Sequence, residues 1–483
     1  MNPPSESPRK VIPIAPAPAD SAEGSSQVEI ISLYEAQKKI YPRSISGMFS
    51  RWRWAMVLLT QLVFYGLPWL EWGQRQMVLF DLGARRFYIF GLVLYPQDFI
   101  YLTGLLIISA LSLFLFTAVA GRLWCGFACP QTVYTEIFMW IEHKIEGDRS
   151  ARLRLDGGPW NFEKIRKKFF KQTVWIAVAL WTGFTFVGYF VPIRELGAEL
   201  LAFQGSWQIF WVFFYSFATY GNAGFMREQV CKYMCPYARF QSAMFDKDTL
   251  IVSYDVERGE PRGPRGKNVD HKAKGLGDCI DCTLCVQVCP TGIDIRKGLQ
   301  YECIGCGLCV DACNTVMDKV KYPRGLIRFT TQNGVVKRWT QSQILRRVLR
   351  PRVLIYSAVL VALCVAMLAS LVMRTPLKVD VVRDRAALSR IVAGGKLENV
   401  YRIQIMNATE APQRYRIGAK GLEGLEVASE TEVEIEPAQS RWVAVRLQVP
   451  YGSASPGSHP ITVEIGAESG AHVAEKTVFL VPR

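Results

Sequence analysis

Histidine is nearly missing from this chain. Only His143, His271, His459 and His472 occur among 483 residues, and none lies in an apolar run. That argues against a haem held between two histidines inside a membrane. No Cys-x-x-Cys-His is present, which removes covalent c-type haem. No Gly-x-Gly-x-x-Gly opens a βαβ unit and no Gly-x4-Gly-Lys-[Ser/Thr] occurs, so neither a nicotinamide site nor ATP hydrolysis is indicated. Electrons, if the protein handles them, must come from another protein, a thiol or the quinol pool. Charge is also scarce. Charged residues make up 20% of the chain against 50% hydrophobic, which is low for a soluble protein of this size and points to an integral membrane protein. The net charge of +15 does not indicate nucleic acid, because the basic residues cluster beside apolar runs. No apolar core precedes Trp54, so residues 1–35, rich in Pro, Ser and Ala, read as a disordered tail and not as a signal peptide.

What is present in excess is apolar sequence in long runs. Five are expected to span a bilayer: Trp54 to Leu70, Phe99 to Ala120, Thr173 to Ile193, Gly205 to Met226 and Val353 to Met373. About 20 residues at ~1.5 Å each give ~30 Å, the thickness of the hydrocarbon layer. The first is the shortest and contains Gln61 and Pro68, with Trp52, Trp69 and Trp72 as interface anchors. Lys38, Lys39, Arg43, Arg51 and Arg53 precede the first run without an acidic residue among them. Lys164, Arg166, Lys167, Lys168 and Lys171 crowd the loop after the second, and Arg346, Arg347, Arg350 and Arg352 precede the fifth. The intervening loops balance their charges. Basic residues mark the cytoplasmic side, so the N-terminus is expected inside and the C-terminus outside. Beyond residue 376, runs such as YRIQI, TEVEIE, RWVAVRLQV and HPITVEI alternate apolar with polar residues. They predict a small antiparallel β-sandwich on the outer face, without cysteine and hence without a disulfide, and with Trp442 in its core.

Thirteen cysteines are the other excess. CIDCTLCVQVCP, from Cys279, and ECIGCGLCVDAC, from Glu302, each contain Cys-x-x-Cys-x-x-Cys-x-x-x-Cys, the two-cluster bacterial ferredoxin pattern. Three closely spaced thiolates wrap three corners of an iron–sulfur cube, and the displaced fourth reaches across to the other cube. Cluster one is therefore expected to use Cys279, Cys282, Cys285 and Cys313, and cluster two Cys303, Cys306, Cys309 and Cys289. Two zinc sites are the plainer alternative, since Cys-x-x-Cys repeats also bind zinc. Lys272, Lys274, Arg296 and Lys297 are candidates to balance the clusters' negative charge, or are simply solvated.

Two further pairs are less specific. RLWCGFACPQT, from Arg122, and REQVCKYMCPY, from Arg227, each hold Cys-x-x-x-Cys-Pro at the end of an apolar run. Residues i and i+4 of a helix have Cβ atoms ~5–6 Å apart, too far for a disulfide but suited to one soft metal between two thiolates. Pro130 and Pro236 disfavour helix at Cys129 and Cys235, so the chain is expected to break there. A copper loop at Cys125, Cys129, Cys231 and Cys235, a redox dithiol, and close packing of small residues all remain open; Met234 and Met226 would add soft donors to a copper site. Cys364, alone in the fifth run, reads as an apolar packer. His143 reads as interfacial, with a copper role as the alternative.

With these residues in place, the chain resembles the CcoG family, also called FixG or RdxA, of accessory proteins for maturation of cbb3-type cytochrome oxidase. The resemblance rests on CGFACPQTVYTE from Cys125, CKYMCPYARFQSAMFD from Cys231, YDVERGEPRG from Tyr254 and the double cysteine array from Cys279. Asn314 departs from it, at a position where an acidic residue is expected. The resemblance implies a multi-domain membrane protein of the bacterial inner membrane. It would have an α-helical transmembrane bundle of about five spans, a cytoplasmic two-cluster ferredoxin-like domain and a periplasmic immunoglobulin-like β-sandwich. The corresponding divisions are 36–245 for four spans, 246–340 for the ferredoxin domain, 341–375 for the fifth span and 376–483 for the β-domain. The resemblance further implies two 4Fe-4S clusters, reduction of Cu(II) to Cu(I), and partners among oxidase assembly factors and copper chaperones, with the electron donor unnamed. Two other classes stay open: a quinol-oxidising electron-transfer subunit of the NapH type, which lacks the outer β-domain, and a non-catalytic assembly scaffold.

Overall fold

The structure is a computed structural model that describes residues 39–266, 272–384 and 389–482. The expected N-terminal tail and His271 lie outside the described residues. Each of the five apolar runs is helical. The first helix, α1, covers Met48–Gly66. It starts six residues before the expected Trp54, because Arg53 is held inside it by an ion pair to Glu136 at 2.8 Å. It stops short of Leu70, where Pro68 begins a tighter turn. Helix α2, Phe99–Ala120, ends at Gly121, whose φ of 55° suits glycine. Helices α3 (Leu123–Phe127), α4 (Pro130–Glu146) and α5 (Arg149–Gly157) follow. Helix α6, Phe162–Val187, begins eleven residues before the expected Thr173, since Asn161 caps it by accepting the Lys164 N–H at 2.8 Å. Helices α7 (Ile193–Leu201) and α8 (Ser206–Gly224) complete the first half.

Two helical segments are long and apolar enough to cross a membrane, Pro96–Ala120 and Pro351–Val372. They lie side by side, and the Tyr101 hydroxyl reaches Ser370 at 3.1 Å. Phe99, Ile100, Leu106, Leu354, Ile355 and Val361 stand bare on their outer faces. An apolar helical surface of that extent belongs in lipid. The other three helices are more polar, with Arg51 and Arg53 in α1 and a run of lysines opening α6.

The connecting segments sort to the two ends of these helices. At one end, three short strands, Val78–Asp81, Arg86–Ile89 and Leu92–Leu94, share a core with Met406 and Ala438 of the C-terminal domain. There Arg374 and Asp98 form a buried ion pair, and Phe80 N–H donates to the Tyr189 carbonyl at 2.7 Å. At the other end, Ser50 N–H donates to Asp311 at 2.9 Å, the Phe49 and Phe329 rings pack tilted with centroids 4.9 Å apart, and Arg350 pairs with Asp246 at 3.0 Å.

The C-terminal domain is two antiparallel sheets face to face. One orders Glu426–Val427, Ser440–Pro450, Lys396–Asn407 and Leu377–Arg383, with Arg390–Val392 also on Lys396–Asn407. The other orders Glu432–Ile435, Gln413–Lys420, Gly457–Ala467 and His472–Val481. Tyr401, Ile403, Ile405, Val445, Leu447, Val463, Ile465 and Phe479 fill the space between them. Trp442 is not in that core. It is 48% exposed, with the Arg402 guanidinium over its ring. The reason is the period of two: Val443, Val445, Leu447 and Val449 point inward, which turns Trp442 outward.

Candidate functional site

The segment from Ile251 to Thr330 is closed by one antiparallel pair, Ile251–Tyr254 against Ile327–Thr330. Between these strands the two cysteine arrays wrap separate pockets. One is lined by Cys279, Cys282, Cys285 and Cys313, together with Arg296, Tyr254 and Met317. The other is lined by Cys289, Cys303, Cys306 and Cys309, and Cys285 also reaches it. The crossing follows from two short helices, Leu284–Gln287 and Leu308–Val320. Each carries the third cysteine of its array at its start and delivers the fourth away from that pocket. Gly305 and Gly307 hold φ values of 67° and 75°, which turn backbone N–H groups toward sulfur. The Gly305 N–H reaches the Cys303 thiol and the Leu308 N–H the Cys306 thiol. Burial and then neighbouring sulfurs push the Cys303 thiol up to about 12, and burial raises Cys309 well above its ordinary range. Thiols so crowded become thiolates only if a cationic core compensates them, so the donor set fits iron–sulfur. Among the described residues no three His, Cys, Asp or Glu side chains converge on a single-ion site.

Of the expected cations, Arg296 lines the first pocket, where Asp294 holds it at 2.8 Å. Asn314, next to Cys313, accepts the Gly325 N–H at 3.0 Å.

Both Cys-x-x-x-Cys-Pro stretches break where the prolines demand. Cys129 (φ −61°, ψ 129°) and Cys235 (φ −81°, ψ 108°) are extended, and Pro130 and Pro236 each open a new helix, α4 and Pro236–Met244. Cys125 lies in α3 and Cys231 in a wide turn at Val230–Met234. All four thiols share one neighbourhood. Burial raises Cys125 to about 12, with Cys129 and Cys231 adding to it, and raises Cys231 to about 11, with Cys129 and Cys235 adding to it. The Cys125 thiol donates to Gln241 Oε1 at 3.2 Å. Met234 is 59% exposed and Cys364 stands apart in Pro351–Val372. His143 sits against Asp148 at 3.9 Å near the far end of α4, away from these thiols.

This neighbourhood touches the second pocket directly. A Cβ on Gly126, inside the first Cys-x-x-x-Cys, would stand 2.8 Å from the Ile304 carbonyl and 3.0 Å from the Cys306 backbone. Glycine is therefore what allows α3 to lie on the loop between Cys303 and Cys306. Arg122 closes the junction. It is buried, donates to the Ala238 carbonyl, and its charge is felt by Cys125, Cys303, Cys231 and Cys235. Arg227 plays the matching part before Cys231. With Arg152 at 3.0 Å and Lys171 at 3.8 Å, it surrounds Glu142 of α4, its own distance being 2.9 Å. Burial pushes the Glu142 carboxyl up, but these cations overcome it and hold it below the ordinary carboxylate range. The network thus clamps the helix after Cys129 to the turn before Cys231. Sequence reasoning passed over Arg122, Gly126, Glu142 and Arg227. The available signal was that an arginine precedes each cysteine pair.

Comparison with known proteins bears on the same segments. The profile for a 4Fe-4S dicluster domain matches residues 226–332, and one for a 4Fe-4S binding domain matches residues 102–147. The latter segment holds only two cysteines, Cys125 and Cys129, so it cannot by itself supply four thiolates. The profile for the "IG-like fold at C-terminal of FixG" matches residues 367–482. The nitrogen fixation protein FixG of Rhizobium meliloti is 38% identical over 422 residues, 81% of this chain and 80% of that protein. The chain belongs to the FixG/RdxA family. Protein RdxA of Cereibacter sphaeroides is likewise 38% identical, over 92% of this chain and 98% of its own. A crystal structure of a FixG-related protein from Vibrio parahaemolyticus covers 22% of this chain and 97% of its own, at 21% identity and TM-score 0.21. Membership in FixG/RdxA makes this an iron–sulfur redox protein of the membrane with an immunoglobulin-like C-terminal domain.

Proposed function

We propose that this FixG/RdxA protein is a membrane cupric reductase that serves copper-centre assembly of a cbb3-type cytochrome oxidase. Cys279, Cys282, Cys285 and Cys313 would hold one 4Fe-4S cluster, and Cys289, Cys303, Cys306 and Cys309 the other. Such clusters supply one-electron storage and transfer when bound. Copper is the substrate. Cu(II) takes one electron and leaves as Cu(I), which soft thiolates prefer. Cys125, Cys129, Cys231 and Cys235 are the residues assigned to receive it.

The observation that carries this reading is the Gly126 contact, which puts the first thiol pair against the backbone of Cys306. Arg122 beside the same thiols and Cys303 would favour the more negative, reduced state on both sides of that contact. In this reading the five long helices all span the inner membrane. Support comes from the two-ended sorting of the loops: the ferredoxin segment meets the start of α1 at one end, and the β-sandwich meets the loop after α1 at the other. The ferredoxin end is cytoplasmic, where basic residues gather. Oxidase assembly factors and copper chaperones are the partners to which Cu(I) would pass.

The test is purified protein with all four Cys-x-x-x-Cys cysteines changed to Ser. Iron content and membrane insertion are expected to match the parent, while copper binding and Cu(II)-dependent reoxidation of the reduced protein fall at least ~tenfold, about one lost thiolate contact or more. Copper reduction as fast as the parent's would remove these thiols from the path and favour a scaffold role for them.

A further inference from the structure

A cavity of about 310 Å³ lies where α1, α4, α6 and α8 meet. That is within the ~300–1,000 Å³ of small-molecule sites. Its walls are mainly apolar, with Phe64, Phe186 and Tyr215 among them, and no charged side chain lines it. A phosphate-bearing ligand or a bare metal ion therefore has nothing to bind. The wall is nonetheless not simply greasy. Gln61 and Thr60 of α1, Tyr134 of α4, Thr182 of α6 and Thr219 of α8 all face in. Tyr134 is within hydrogen-bonding reach of Tyr65, Thr182 and Gln61. The Gln61 Oε1 atom is buried and accepts no hydrogen bond among the described residues. An orphan buried acceptor is costly, and in a membrane-embedded bundle such polar groups mark functional sites.

Two further observations say what fits. Ala128 and Pro130, the residues on either side of Cys129, form part of the wall, so the cavity abuts the thiol neighbourhood. On α1 itself, Leu58, Leu62 and Val63 are bare on its outer face, so a molecule dissolved in lipid meets an apolar surface beside the cavity. An acyl chain would use the apolar wall and leave Gln61, Tyr134 and Thr182 unanswered. A quinol ring answers both, because its hydroxyl can donate to Gln61 Oε1.

We propose that this cavity is a quinol site and that membrane quinol is the electron donor. The proposal rests on the iron–sulfur redox reading, and only its final step on the copper reading. Breaking the two O–H bonds of a quinol releases two protons to water and two electrons, leaving a quinone. One electron goes to each of the two iron–sulfur centres, and each is then passed to one Cu(II). The quinone has carbonyls where the quinol had hydroxyls, so it can no longer donate to Gln61 and is held less tightly than the quinol. That difference favours turnover.

The experiment uses the full chain in lipid vesicles, with decylubiquinol as the probe, under anaerobic conditions. Binding is read first, as thermal stabilisation of the protein by the quinol and by the matching quinone. Reduction is read second, as the appearance of the reduced-cluster paramagnetic signal. The parent is expected to be stabilised more by quinol than by quinone, and to be reduced by it. Gln61→Leu and Thr182→Val should each weaken quinol stabilisation and slow reduction about tenfold or more, the equivalent of one hydrogen bond. Both should keep full iron content and normal reduction by dithionite. A parent neither stabilised nor reduced by quinol, or variants indistinguishable from it, would overturn the proposal and leave the cavity to lipid. Adding Cu(II) to the dithionite-reduced parent separates the two readings, because failure to reoxidise there counts against copper and not against quinol.

Discussion

At the scale of single residues, Arg122 is the side chain whose role is most open to measurement. A buried guanidinium among Cys125, Cys231, Cys235 and Cys303 stabilises whichever of those centres gains an electron. Arg122→Met is therefore expected to lower the midpoint potential of the cluster bound near Cys303. The shift should be on the order of ~59 mV, a tenfold change in a one-electron equilibrium. A redox titration followed by paramagnetic resonance reads it, and an unchanged potential would mean that Arg122 serves only its bond to Ala238. Cys313→Ser tests the crossing of the fourth ligands. Because Cys313 lines the pocket of Cys279, Cys282 and Cys285, the cluster lost should be that one. Loss confined to the pocket of Cys303, Cys306 and Cys309 would show that the fourth ligands do not cross. The two residues also differ in how legible they were. Cys313 could be assigned from spacing, because the array repeats. Arg122 could not, because what defines it is proximity to Cys303, far along the chain.

At the scale of elements, the decisive contact is α3 against the loop from Cys303 to Cys306. Gly126→Val would drive two methyl groups toward the Ile304 carbonyl and the Cys306 backbone, neither of which can yield without moving the loop. Overpacking of this kind costs about 1–3 kcal/mol. The expected outcome is protein that still binds iron but melts lower and reoxidises with Cu(II) at least ~tenfold more slowly, since electron passage depends on close approach. Thermal melting and stopped-flow absorbance check the two parts. Normal transfer in a destabilised variant would mean that α3 is packing alone. The helix boundaries show where local rules hold. Pro130 and Pro236 broke the chain where expected, because proline's constraint acts on its immediate neighbour. The start of α1 was misplaced, because Arg53 is tolerated in the helix only through Glu136, 83 residues on. Trp442 lies outside the core because the phase of its strand turns it outward, and that phase outweighs its size.

At the scale of the whole molecule, the question is which side each domain occupies. Reporters fused after Arg483 and near Gly263 are expected to be active only in the periplasm and only in the cytoplasm, respectively. The two-ended sorting of the loops motivates this. A cytoplasmic C-terminus would mean that one of the more polar helices, α1 first among them, does not cross.

The chain's own order of residues determined the chemistry it can carry. Cysteine spacing specified two iron–sulfur arrays, apolar runs specified lipid-facing helices, and period-two alternation specified the C-terminal sandwich. Each of these is a local pattern, readable within a few turns or strands. The tertiary structure alone decided that the four thiols of the two Cys-x-x-x-Cys-Pro stretches share one neighbourhood, that Gly126 rests on Cys306, and that Arg122 and Glu142 clamp the junction. It also decided that Gln61, a blemish in an apolar run, turns into a cavity beside Cys129. Proximity between residues a hundred or more positions apart is set by how helices and loops stack, and no spacing rule along the chain contains it.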